Sequence, residues 1–229
     1  MSMAANTPGR MSAPAPGAAL WLAFPEDPRA WSRRDRAADT AIRDSLFRHL
    51  EALGHVPARG PLLSHAGGHA AYFCGSPLAV GVDLEWVRER DVVSLADFAY
   101  ASGELAYLEG LASDARNAAF IDLWVLKEAA GKVLRLDLFG ALSRCRFEIA
   151  NGRITGSIPG AEPWQAAIYA PRPALRLGYV AVRAPGAAAP PRPRCEWPMV
   201  PACFELSSPS GHERHVAWPC VARGGGGSD

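Results

Sequence analysis

Apolar and polar positions along the chain follow two rhythms. Leu20–Phe24 (LWLAF) is a short continuous apolar run, which predicts a buried strand. A helical period follows it. Ala38, Ile42, Leu46, Leu50 and Leu53 recur at spacings of three and four, while Arg34, Arg36, Arg43 and Arg48 lie largely off that stripe. Ser32 suits an N-cap and Gly54 a stop, so a helix is predicted from Ser32 to about Leu53. Strands are predicted over Leu62–Ser64, Ala70–Cys74 and Leu78–Glu85. They are separated by the turn-like Ala66-Gly67-Gly68 and Gly75-Ser76-Pro77. Helical spacing returns over Ser102–Leu111, and again from the capping signal Ser113-Asp114 to about Leu136. Phe120, Leu123, Trp124, Lys127, Gly131 and Leu134 fall along one side of that second stretch. Three strands close the pattern: Arg146–Ala150, Gln165–Ala170 and Leu175–Arg183.

Helices and antiparallel hairpins segregate here rather than alternate, which favours an α+β fold over a doubly wound sheet. The second half reads as a loose echo of the first. The division expected is a flexible segment over 1–19, a first α+β half over 20–80, a second over 81–184, and a tail from 185 to 229. That tail holds a PGAAAPPRPR stretch and ends in GGGGSD, a composition expected to be mostly disordered. Its Cys195, Cys203, His212, His215 and Cys220 match no standard zinc spacing and read as incidental.

Composition narrows the classes. A chain of 229 residues with 49% hydrophobic and 21% charged positions can bury a core and is not a disordered chain. A net charge of +1 excludes a strongly basic nucleic-acid-coating surface. No run approaches the roughly 20 apolar residues of a membrane-spanning helix, and residues 1–19 lack the layout of a secretory signal. Five Cys at irregular spacing form no disulfide framework, so a reducing cytoplasm is the expected setting. Of 24 basic residues only two are lysines, Lys127 and Lys132, and both fall in one short stretch.

Three places could carry chemistry. Asp83 and Glu85 in Gly81-Val82-Asp83-Leu84-Glu85 point to one side of a strand, roughly 6.5 Å apart along the backbone. They fit a solvated strand end or a grip for a divalent cation. Glu128 and Lys132 are neighbours at i and i+4 on a helix. They fit a surface ion pair, or an ammonium for phosphate beside a carboxylate for a metal. His65, after Ser64 and ahead of Gly67-Gly68, fits an anion contact or an ordinary partly buried histidine; His69 is harder to place. Together, three acids suit Mg²⁺, which shares itself with substrate phosphates, and Lys132, His65 and helix arginines supply charge for those phosphates. That combination suits phosphoryl-group transfer.

At these residues the chain resembles the 4′-phosphopantetheinyl transferase superfamily, of the larger pseudo-dimeric type. Members carry an SH-S/A-G-G segment, then G-[VI]-D-[IL]-E, then F-x-x-x-W-x-x-K-E-A-x-x-K on a helix. This chain reads Ser64-His65-Ala66-Gly67-Gly68, then Gly81–Glu85, then Phe120, Trp124, Lys127-Glu128-Ala129 and Lys132, with Ser102–Leu108 similar to the family's preceding segment. The likeness runs from about Ala30 to Arg183. It implies two similar α+β halves forming a pseudo-dimer, each a small antiparallel sheet packed on a long helix, with coenzyme A between them. It further implies an Mg²⁺-dependent enzyme that moves 4′-phosphopantetheine from coenzyme A to a serine of an acyl or peptidyl carrier protein, as a monomer. The alternative it leaves open is a catalytically weak or inactive domain that binds a carrier protein or coenzyme A. By the resemblance, Asp83, Glu85 and Glu128 hold Mg²⁺, and Lys132 contacts a phosphate and favours departure of 3′,5′-ADP. Ser64 and His65 recognise the 3′-phosphate, and Arg34 contacts coenzyme A. Either Glu128 or a water on the metal takes the serine proton. The chain departs from the family in having Arg59-Gly60-Pro61 for a G-K-P segment, and Leu134-Arg135-Leu136-Asp137 where a Gly-x-Gly often follows the last motif lysine.

Overall fold

The structure is a computed structural model and describes residues 19–24, 36–52, 54–57, 60–74, 79–182, 202–207, 212–215 and 220–226. The fold is α+β. Its strands are β1 (Ala19–Phe24), β2 (Leu63–Ala66), β3 (His69–Cys74), β4 (Ala79–Trp86), β5 (Arg146–Ala150), β6 (Arg153–Ser157), β7 (Trp164–Arg172), β8 (Leu175–Val182), β9 (Ala202–Ser207), β10 (His212–His215) and β11 (Cys220–Gly226). Its helices are α1 (Arg36–Ala52), α2 (Val92–Ala99), α3 (Ser102–Glu109), α4 (Ser113–Leu134) and α5 (Leu138–Arg144).

The strands form two sheets, ordered β10-β9-β1-β3-β2 and β4-β8-β7-β11-β6-β5. Most neighbours are antiparallel, but β1–β9 and β11–β6 run parallel. Side-chain alternation along the strands fixes the layers. Trp21, Ala23, Ala70 and Tyr72 face α1, meeting its buried Leu46 and Leu50. The alternate positions, Leu20, Leu22, Ala71 and Phe73, face the second sheet and pack on Val80, Val82, Leu84, Trp86, Leu177 and Tyr179. The far side of the second sheet carries Ile168, Val180 and Val182 against Phe120, Ile121, Val125 and Ala129 of α4. The order of layers is helix, sheet, sheet, helix.

The predicted elements are present with shifted ends, and six more appear: α2, α5, β6, β9, β10 and β11. Helix α4 is capped at Ala112 through its backbone alone, so the expected Ser113-Asp114 signal does not supply a side-chain cap. Asp91 and Asp137 do cap: each accepts a bond from the backbone N–H three residues on, Ser94 at 3.2 Å and Gly140 at 2.7 Å, and so starts α2 and α5. The tail expected to be disordered from 185 onward is corrected over three stretches, since β9, β10 and β11 pair into the two sheets. Backbone pairing needs no apolar pattern, so the glycine-rich Cys220–Gly226 can lie between β6 and β7. Among the described residues no helix is long and apolar enough to cross a membrane.

Candidate active site

The site is built where β4 meets α4. Ala79, Gly81, Asp83 and Glu85 alternate onto the face of β4 turned to the helix. A Cβ at Gly81 would strike the carbonyl of Ala129 on α4, and one at Gly178, opposite Asp83 on β8, would strike that of Val125. Only glycine allows helix and sheet to approach this closely. The approach brings the next residue of that face, Asp83, within reach of Lys132. The ammonium Nζ donates to Asp83 Oδ1 at 2.7 Å and to the backbone carbonyl of Val82 at 2.8 Å.

Asp83 is held from a third side. Ser64 on β2 donates its hydroxyl proton to Asp83 Oδ1 at 3.0 Å, and its oxygen accepts the backbone N–H of Leu84 at 3.1 Å. Ser64 and Asp83 are both buried. A residue of the first sheet and one of α4 therefore converge on a single carboxylate of the second sheet.

Glu128 lies one helical turn before Lys132 and is half-buried. Burial, and then the neighbouring Asp83 carboxylate, push its acid up to about 7, with Lys132 opposing. Two acids in each other's field with one ammonium beside them form a centre short of positive charge. Glu85, on the same face, is engaged locally: its Oε1 accepts the backbone N–H of Trp86 at 2.8 Å. The three acids expected to bind metal are thus not gathered into one cluster, and among the described residues no three His, Cys, Asp or Glu converge as a metal-holding group. Like charges repel, and each carboxylate has taken a local donor or cation where one is offered. The donor set nonetheless fits Mg²⁺, a hard ion commonly held by one or two carboxylates together with substrate phosphates.

The adjacent Ser64 and His65 point to opposite faces of β2. Ser64 turns inward, and the His65 side chain is 42% exposed, with Nδ1 3.7 Å from Asp39 Oδ2 on α1. Asp39 Oδ1 in turn accepts the Gly68 N–H at 2.6 Å, tying α1 to the Gly67-Gly68 turn. His69 is buried edge-on to Trp86, with Nδ1 3.2 Å from the Gly67 carbonyl. Burial lowers its basicity to about 4, so it is neutral at physiological pH. Arg34 and Arg59 lie outside the described residues.

The other lysine of the helix motif is structural. Lys127 is fully buried, paired with Glu104 Oε2 at 2.8 Å, donating to the carbonyls of Leu142 and Cys145, and lying over the Tyr100 ring. Glu104 also accepts the N–H groups of Ala101 and Phe147. Sequence reasoning missed this anchor and the Asp39 contact, since each partner is remote along the chain. The one local signal was Glu104 at the third position of α3, where a carboxylate reaches back to the helix start.

A family model of the 4′-phosphopantetheinyl transferase superfamily matches residues 79–170. No curated protein matches the chain significantly. The family match runs from the start of β4 into β7 and takes in Asp83, Glu85, Glu128 and Lys132. It stops short of Ser64 and His65. Over residues 79–170 the chain is similar to the 4′-phosphopantetheinyl transferase superfamily.

Proposed function

We propose that the chain transfers 4′-phosphopantetheine from coenzyme A to a serine hydroxyl of an acyl or peptidyl carrier protein, with Mg²⁺. The observation that carries this reading is the Asp83–Lys132 contact beside Glu128, made by the two motifs inside the matched segment. Asp83, Glu128 and Glu85 are the residues that would hold Mg²⁺, whose chemistry there is to offset the pyrophosphate charge.

This chain's residues account for the rest. Lys132, 26% exposed at the side chain, offers an ammonium to phosphate oxygen and meets the charge that gathers on departing 3′,5′-ADP. The carrier serine oxygen attacks the phosphorus next to pantetheine, that oxygen–phosphorus bond forms, and the bond to the ADP leaving group breaks. The serine proton passes to Glu128. His65, at the exposed end of β2, supplies a ring for the 3′-phosphate.

Intact-mass spectrometry of apo carrier proteins incubated with the chain, coenzyme A and Mg²⁺ tests the proposal. A carrier gaining a phosphopantetheine arm is the expected result, and it excludes a domain that only binds. Asp83→Ala, Glu128→Ala and Lys132→Ala should each slow transfer by about 100-fold or more, the scale for losing a charged transition-state contact. Undiminished transfer in Glu128→Ala ends the assignment.

A further inference from the structure

Ser64 is half of the Ser-His pair whose resemblance implies contact with the 3′-phosphate of coenzyme A. Its surroundings point elsewhere. A hydroxyl has one proton to give and two lone pairs to receive. The Ser64 proton goes to Asp83 Oδ1 at 3.0 Å, and one lone pair receives the Leu84 N–H at 3.1 Å. The residue is 7% exposed, whereas His65 faces the opposite side of the strand with its ring in solvent. An anion approaching His65 from solvent cannot receive the Ser64 proton unless the bond to Asp83 breaks.

The same bond has an effect on Asp83. Lys132 Nζ also binds Oδ1, at 2.7 Å, so two donors fix one oxygen of the carboxylate. Its plane is set, and Oδ2 is the oxygen left to meet a cation. We propose that Ser64 is a positioning residue for Asp83, orienting that carboxylate toward the divalent cation, and is not a nucleotide contact. The inference rests on the transferase reading for the identity of the cation site. It adds that the first sheet, through β2, governs metal affinity in the second.

The test uses Mn²⁺ as a paramagnetic stand-in for Mg²⁺, with free ion counted by electron paramagnetic resonance, on the full chain. Calorimetry with coenzyme A and with 3′-dephospho-coenzyme A runs in parallel. Ser64→Ala should weaken Mn²⁺ binding by about tenfold, the lower end of the cost for removing a group that orients a metal ligand. It should change the affinities for the two nucleotides by the same factor. Ser64→Thr, which keeps the hydroxyl, should restore Mn²⁺ binding. Ser64→Cys keeps a side chain of similar size with a weaker donor, and should weaken Mn²⁺ binding even if the alanine variant does not fold. Wild-type Mn²⁺ affinity in Ser64→Ala or Ser64→Cys overturns the inference. So does a loss confined to coenzyme A with dephospho-coenzyme A spared, which marks a phosphate contact. A wild-type chain that takes up neither Mn²⁺ nor coenzyme A overturns the transferase reading and this inference with it.

Discussion

Lys127 and Lys132 stand five positions apart on α4, so about 140° of helix rotation separates them. The first turns inward to Glu104 and two carbonyls; the second turns to Asp83 at the sheet edge. Rotation alone gives identical side chains opposite duties. Arg135 shows a different residue-scale effect. It ends α4 in the left-handed region, at φ 56, with its N–H directed at the last carbonyls of the helix. A side chain there is strained and glycine is not. Arg135→Gly should stabilise the fold by about 0.5–1 kcal/mol, read as a higher urea midpoint at unchanged slope. Asp122 pairs with Arg176 at 2.9 Å, yet burial outweighs the pairing and pushes its acid up to about 6. A carboxyl that holds its proton more tightly when folded stabilises at low pH. That contribution is complete below its unfolded value of 3.8 and is lost as pH rises through about 6. Relative to Asp122→Asn, the wild type should lose stability across that window and then level off, measured by urea unfolding from pH 4 to 8.

Between elements, the closest fit is β4 against α4. Gly81→Ala places a methyl group on the Ala129 carbonyl, so the helix must move or the strand must bend. A cost of about 1–3 kcal/mol is expected from overpacking, with slower transfer because Lys132 is carried away from Asp83; a melting curve and a transfer assay read the two effects separately. This contact was partly legible in the sequence, since Gly81 and the two acids stand in one short motif. The burial of α4 was not. Phe120, Ile121, Leu123, Val125, Leu126, Ala129 and Ala130 are all buried because the second sheet and helices α2, α3 and α5 contact this helix, and a helix covered on many sides shows no single stripe. The missed strand β6 buries only Ile154 and is exposed elsewhere, so it lacks the period-two pattern that reveals a strand. Helices α2 and α5, missed as well, span 8 and 7 residues, about two turns each.

Across the whole molecule, the site spans layers the chain reaches at different times. Asp83, Glu128 and Lys132 could be nominated from their motifs. The bond from Ser64 to Asp83 could not, because it crosses from one sheet to the other and depends on their relative placement. Phe98 on α2 and Phe139 on α5 are 78% and 53% exposed and touch edge to face at 5.6 Å, with exposed Leu95 and Leu138 on the same two helices. Both helices contact α4, and α5 packs at Gly131, next to Lys132. If the proposed transfer holds, this apolar pair is a place to test for carrier-protein contact. Phe98→Asp and Phe139→Asp should each raise the carrier KM about tenfold or more while coenzyme A affinity holds, as expected for losing an interface anchor.

Strand β4 ends its sheet, and an end strand ordinarily offers free amides to any passing chain. Here the Val82 N–H is spent on the Pro61 carbonyl at 2.9 Å and the Leu84 N–H on Ser64. At those two amides the border is closed to the strand-by-strand polymerisation that open edges invite.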